Sequence, residues 1–194
     1  MTSLKKKAIP KKETKLINTL INHHFCIKGS AAKEILSVLN TSFSEEFLFD
    51  STFASGFLFE ETQKRFLLFD KINEWNYLIW NVWDFEETKK QALFISEKLN
   101  TQVYYFFIDP YICTLRWVLA DKGKLIRSYY ESHNNVLDDE GSFEIEDQIR
   151  TELKKQDGKE FWEDKFWLLY EKMCPPIEVM NSYESIAAIK GELI

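Results

Sequence analysis

The stretch VYYFFIDPYICTLRWVLADKGKLIRSYYES, Val103 to Ser132, decides the fold of this chain. In a strand, Val103, Tyr105 and Phe107 share one face, and Tyr104, Phe106 and Ile108 share the other. A strand that is apolar on both faces is central in its sheet and covered twice. Pro110 cannot donate to a ladder and breaks it. Alternation resumes in YICTLRWVLAD. There Cys113, Leu115, Trp117 and Leu119 point one way, while Thr114 and Arg116 point the other. Asp121-Lys122-Gly123-Lys124 is a turn signal in which Gly123 supplies a positive φ. KLIRSYYES then returns as the partner strand. A two-sided sheet core accounts for this density of rings without catalysis.

Upstream, EEFLFD, SGFLFE, RFLLFD and NYLIWNVW are short, rich in aromatics and separated by polar turns, so they are expected to form an antiparallel meander. LINTLINHHFCIKG (Leu16 to Gly29) fits either helix or strand. Ser30 is placed to cap a helix over AAKEILSVLN, with Asn40 closing it. In DFEE, Asp84 and Glu87 have the spacing of a capping box. The face Phe85, Thr88, Ala92, Ile95 and Leu99 predicts an amphipathic helix over Glu86–Leu99 lying on the sheet. Downstream, IEDQIRTELKKQ and KEFWEDKFWLLYEKM have helical spacing. A last helix is expected from Asn181 or Ser182, with Ile186 and Ile189 facing inward and Gly191 ending it. The fold expected is therefore α+β: an antiparallel sheet meander of six to eight strands, with helices packed on it and a helical C-terminal part.

The 194 residues suit one domain, 15–194, preceded by a flexible basic arm, 1–14. A chain of this size buries roughly 70% of its unfolded surface, so a core forms without staples. The arm region carries Lys5, Lys6, Lys7, Lys11, Lys12 and Lys15 but no interleaved aromatics for stacking on bases. With a net charge of −6, nucleic acid is a disfavoured partner. No signal-length apolar run follows the arm, and no stretch has the roughly 18 apolar residues of a membrane span. Cys26, Cys113 and Cys174 are odd in number and far apart, which points to reduced thiols and a cytoplasmic location.

Motifs that carry chemistry are sparse. His23, His24 and Cys26 form HHxC, in which His24 and Cys26 would share a strand face, but no second ligand pair of comparable spacing exists. Glu163-Asp164-Lys165 has the ExK spacing of a metal-dependent nuclease, yet it sits in a helical pattern with no Asp on a preceding strand. GxSxG, GxGxxG, GxxxxGK[ST] and HExxH are absent. No catalytic residue, cofactor site or metal site is therefore assigned. The densest acidic stretch is VLDDEGSFEIED, with Asp138, Asp139, Glu140, Glu144, Glu146 and Asp147. It reads as a solvated loop and helix start, or as a docking patch for a basic partner. It lacks the D-x-[DN]-x-[DN]-G spacing of a calcium loop. Trp75 and Trp83, at strand edges, and Trp167, off its helix stripe, read first as peripheral core rings half covered by a loop and second as interface anchors.

ISEKLNTQVYYF, then the hairpin YICTLRWVLADKGKLIRSYY, then VLDDEG resemble a group of bacterial proteins found near secreted toxins. These are immunity proteins or uncharacterised chains. The shared pattern is W-x-x-x-x-x-G-K-L-I-R-x-Y followed by an acidic loop, and it covers about a third of the sequence. The resemblance implies a rigid scaffold that binds and neutralises a toxin. It transfers no functional residue. The residues and the resemblance together give the expectation of a non-enzymatic, cytoplasmic, protein-binding module. Its partner would be a protein such as a basic toxin, bound through the six carboxylates of 138–147. The alternative is a hydrolase or nuclease of unfamiliar type that uses clustered carboxylates.

Overall fold

The computed structural model describes residues 23–49, 65–80, 84–109, 112–133, 135–154, 172 and 186–193. Among these the chain runs β1 (His23–Lys28), α1 (Ala32–Leu39), β2 (Thr41–Phe49), β3 (Arg65–Ile72), β4 (Trp75–Trp80), α2 (Phe85–Leu99), β5 (Gln102–Asp109), β6 (Thr114–Asp121), β7 (Lys124–Ser132), β8 (Asn135–Gly141), α3 (Glu144–Lys154) and β9 (Ile186–Leu193). The nine strands form one sheet in the order β2-β9-β3-β4-β1-β5-β6-β7-β8. Every neighbouring pair is antiparallel.

The sheet centre follows the sequence pattern. Val103 to Ile108 are all buried, as are Leu115, Trp117, Val118, Leu119 and Ala120 on β6. One face gathers Phe25, Ile27, Phe66, Leu68, Leu78, Val103, Tyr105, Phe107, Val118 and Ala120 against Ile35 and Leu39 of α1 and Phe85, Ala92 and Ile95 of α2. The opposite face buries Leu67, Phe69, Tyr77, Phe106, Leu115, Trp117 and Tyr129, with Trp117 and Tyr129 stacked at 4.3 Å between centroids. Each large side chain buried this way contributes about 2 kcal/mol of hydrophobic stabilisation before entropy is charged.

Turns and caps come from local chemistry. Lys122 and Gly123 both have positive φ, 50° and 78°, which matches the right-handed twist of the β6–β7 hairpin. The Gly123 N–H donates to Ser96 Oγ at 2.7 Å, and this ties the hairpin tip to α2. Asp84 Oδ1 accepts the Glu87 N–H at 2.8 Å, as the DFEE spacing predicts, while the Glu87 carboxylate accepts from Gln91 Nε2 at 2.6 Å. α1 is capped at Ala31 rather than Ser30, and its free N–H is taken by Glu34 Oε2 at 2.8 Å. The ambiguous 16–29 segment is a strand over His23–Lys28.

The expected α+β fold with a helical C-terminal part is overturned. The described residues form a nine-stranded sheet with three short helices, and from Ile186 on the segment expected to be the last helix is β9. β9 lies between β2 and β3 and pairs with both. Without it, each of those strands would turn an unpaired row of backbone groups toward the gap. The ladders on both sides outweigh the weak helical spacing of Ile186 and Ile189. Gly191 ends no helix; it sits inside β9 between Ser44 and Phe66. The arrangement is also not one meander. β5 to β8 follow one another in space, but β1 is inserted between β4 and β5, and β9 between β2 and β3. VLDDEG, read as a loop, is the outer strand β8. The stretches 51–64 and 159–171, with SGFLFE and nearly all of KEFWEDKFWLLYEKM, lie outside the described residues, as do the arm 1–14, Cys174, Trp83 and Trp167.

Candidate functional site

The acidic stretch is split between β8 and α3, and two cations organise it. Among the described residues β8 pairs only with β7, with Tyr129 opposite Asp139, Tyr130 opposite Asp138 and Ser128 opposite Glu140. Side chains alternate across a strand. Asp138 and Glu140 therefore point to the α2 face, and Asp139 points to the other.

On the α2 face, Lys89 Nζ lies 2.6 Å from Glu140 Oε2 and 3.5 Å from Asp138 Oδ2. Asp138 Oδ2 also accepts from the Ser128 hydroxyl. Burial works against the ammonium. The hydrogen bond to Glu140 and the charges of Asp138, Glu140 and Glu86 outweigh it, so the Lys89 pKa rises above its ordinary value.

On the other face, Arg127 is 3% exposed and Glu146 is 2% exposed. Arg127 Nε donates to Glu146 Oε2 at 2.7 Å and Nη2 to Glu146 Oε1 at 3.1 Å, a bidentate fork. Arg127 Nη1 donates to Asp139 Oδ1 at 2.6 Å and to the carbonyl oxygens of Ser128 and Glu140 at 3.0 and 3.1 Å. Its guanidinium lies 5.3 Å from the centre of the Tyr129 ring. Burial again opposes the charge, but Glu146 and Asp139 outweigh it and hold the guanidinium pKa above its ordinary range. This pair clamps the first turn of α3 onto β7. Gly141 makes the junction possible. Its φ is +77°, and a Cβ there would fall 2.1 Å from the Ile126 carbonyl oxygen.

The six carboxylates thus occupy different settings. Glu146 is consumed inside the clamp. Asp138, Asp139 and Glu140 are tethered by Lys89 and Arg127, with Asp139 and Glu140 more than half exposed at their side chains. Glu144 is exposed and accepts from Gln148 Nε2 at 3.3 Å. Asp147 is exposed in the first turn of α3, where the helix dipole favours acids. Sequence reasoning missed Lys89, Ser128 and Arg127. Arg127 carried a signal: it shares a strand face with Tyr129 and Trp117, and a charge aimed inward must find a partner. It also missed Val136 and Leu137, which stand 53% and 58% exposed on β8.

Other candidates have structural settings. His24 and Cys26 do share a buried strand face, where the His24 ring lies about 6 Å from those of Tyr77 and Phe106. Among the described residues no three His, Cys, Asp or Glu side chains are placed to hold one metal ion. Trp75 is buried and packs edge-on against Tyr104 at 5.2 Å. Arg116 stacks over Tyr130 at 4.2 Å and Phe107 at 5.1 Å, a cation–π setting at the rim of the core. No helix among the described residues is long and apolar enough to cross a membrane. No protein-family model, curated protein or solved structure matches the chain.

Proposed function

We propose that this chain is a non-enzymatic protein-binding module, and that it serves as a cytoplasmic bacterial immunity protein that neutralises a basic toxin through its acidic end. The reading is supported by one observation above the rest. The outer strand β8 is solvent-exposed along nearly its whole length and holds Asp138, Asp139 and Glu140 in fixed positions. Glu144 and Asp147 of α3 extend the same end. Acids held by internal cations lose little freedom when a partner docks, and their field attracts a basic surface and rejects an acidic one. The rigid sheet behind them supplies the scaffold such a surface requires. The resemblance of Trp117–Tyr129 and VLDDEG to toxin-immunity proteins points to the same class.

The test is affinity capture from the native cell with the tagged full chain, followed by co-expression with the captured protein. The reading expects one tight basic partner whose toxicity the chain suppresses. Asp139→Asn with Glu140→Gln should weaken suppression and reduce the salt dependence of binding. Capture of no protein, or full protection by the neutralised variant, would sink it.

A further inference from the structure

We infer that the outer edge of β8 is a strand-addition site, and that its occupant is an extended, lysine- or arginine-bearing segment of the partner protein. This rests on the protein-binding reading above and adds the manner of binding.

An antiparallel strand directs alternate backbone groups to its two neighbours. β8 has one neighbour among the described residues, β7. Asn135, Val136, Leu137, Asp139, Glu140 and Gly141 are all exposed, so solvent reaches the strand along its length. Its outward N–H and C=O groups therefore form a ready template for another strand. Val136 and Leu137 add exposed apolar contacts beside that template. The pairing with β7 shifts register at Leu137, so the regular part of the edge is the short run from Asp138 to Gly141.

Charge selects the occupant. A second copy of β8 laid antiparallel on the first would bring Asp138, Asp139 and Glu140 against their own kind, which is destabilising. The opposite end of the sheet offers no better match, because β2 carries exposed Glu45 and Glu46. A basic strand meets Asp138 and Glu140 on one face and Asp139 on the other. Lys89 and Arg127 have already oriented those carboxylates.

The test uses the full isotope-labelled chain and three short peptides. One alternates lysine and valine, the second is the same peptide with alternate backbone nitrogens methylated, and the third replaces lysine by glutamate. The expected result is binding of the first peptide, with slowed amide exchange confined to Asn135–Gly141. The methylated peptide, which loses its hydrogen bonds to the edge, should bind about tenfold more weakly or worse, and the glutamate peptide should not bind. Equal affinity for the first two peptides would overturn strand addition while leaving an acidic docking surface intact. Binding of neither basic peptide, or self-association of the chain through β8 in their place, would overturn it as well.

Discussion

The centre of the sheet and its outer strand are built from opposite materials. On β5, six successive side chains from Val103 to Ile108 are buried, and none is charged. On β8, three successive side chains are carboxylates, and among the seven residues only Asp138 is half-buried while the other six are exposed. Area holds the centre; paired charge holds the edge. The two also fail differently. Removing a ring from the centre leaves a cavity whose walls lose contacts. Removing one partner at the edge leaves a buried charge with too few counter-charges, and the loss is one of solvation.

The largest effect is expected at the centre. Phe106→Ala should destabilise by about 4 kcal/mol in urea unfolding, and a loss below about 1 kcal/mol would break the contrast. Next comes the clamp. Glu146→Ala strands Arg127, buried with only Asp139 to balance it, and should cost about 3 kcal/mol. The double variant Arg127→Met with Glu146→Leu should recover most of that loss, because it removes both desolvation penalties. Failure of the double variant to exceed the single one in stability would show that packing, not charge, governs this site.

The smallest effect sharpens the boundary between the two regions. Tyr105 is buried in the centre but reaches Thr88 and lies within the field of Arg116. Burial raises its hydroxyl pKa above the ordinary 10.0, and the Arg116 charge and the Thr88 bond only partly oppose this. The unfolded chain therefore gives up this proton before the folded chain does. Tyr105 contributes stability that is complete below pH 10 and is lost as pH climbs toward the folded value. Lys89, raised above 10.5 by its carboxylates, acts in the same direction. Tyr105→Phe should cost about 1 kcal/mol at neutral pH through the lost hydrogen bond. It should also flatten the fall in urea midpoint above pH 10, with the Lys89 share persisting. An unchanged alkaline profile would place the titration elsewhere.

The centre was legible in the sequence because two-sided apolar strands have few alternatives, and Gly123 marked the hairpin. The helix over 85–99 was legible because Asp84 and the spaced face of Phe85, Thr88, Ala92, Ile95 and Leu99 agreed. β9 was not. IAAIKGEL is short, its small residues suit either structure, and what makes it a strand is a vacancy between β2 and β3 that no local pattern encodes. The acids of 136–141 read as a loop because a strand on the rim buries almost nothing, and burial is the signal that periodicity detects. The carboxylates themselves are visible in the sequence as a dense run of acids. Their cations are not, since Lys89 and Glu140 are 51 residues apart and the Arg127–Glu146 fork joins a strand to a helix.

The position of β9 bears on how the protein is made. Arg65 and Glu192, bonded across β3 and β9, are 127 residues apart. A nascent chain emerging from the ribosome can assemble β5 to β8 as soon as they appear, because each strand finds its neighbour in what has just been synthesised. β2 and β3 must wait, with exposed edges, until nearly the whole described chain has been translated. That half of the sheet should form last and slowest, and it is where chaperones or misassembly have their opportunity.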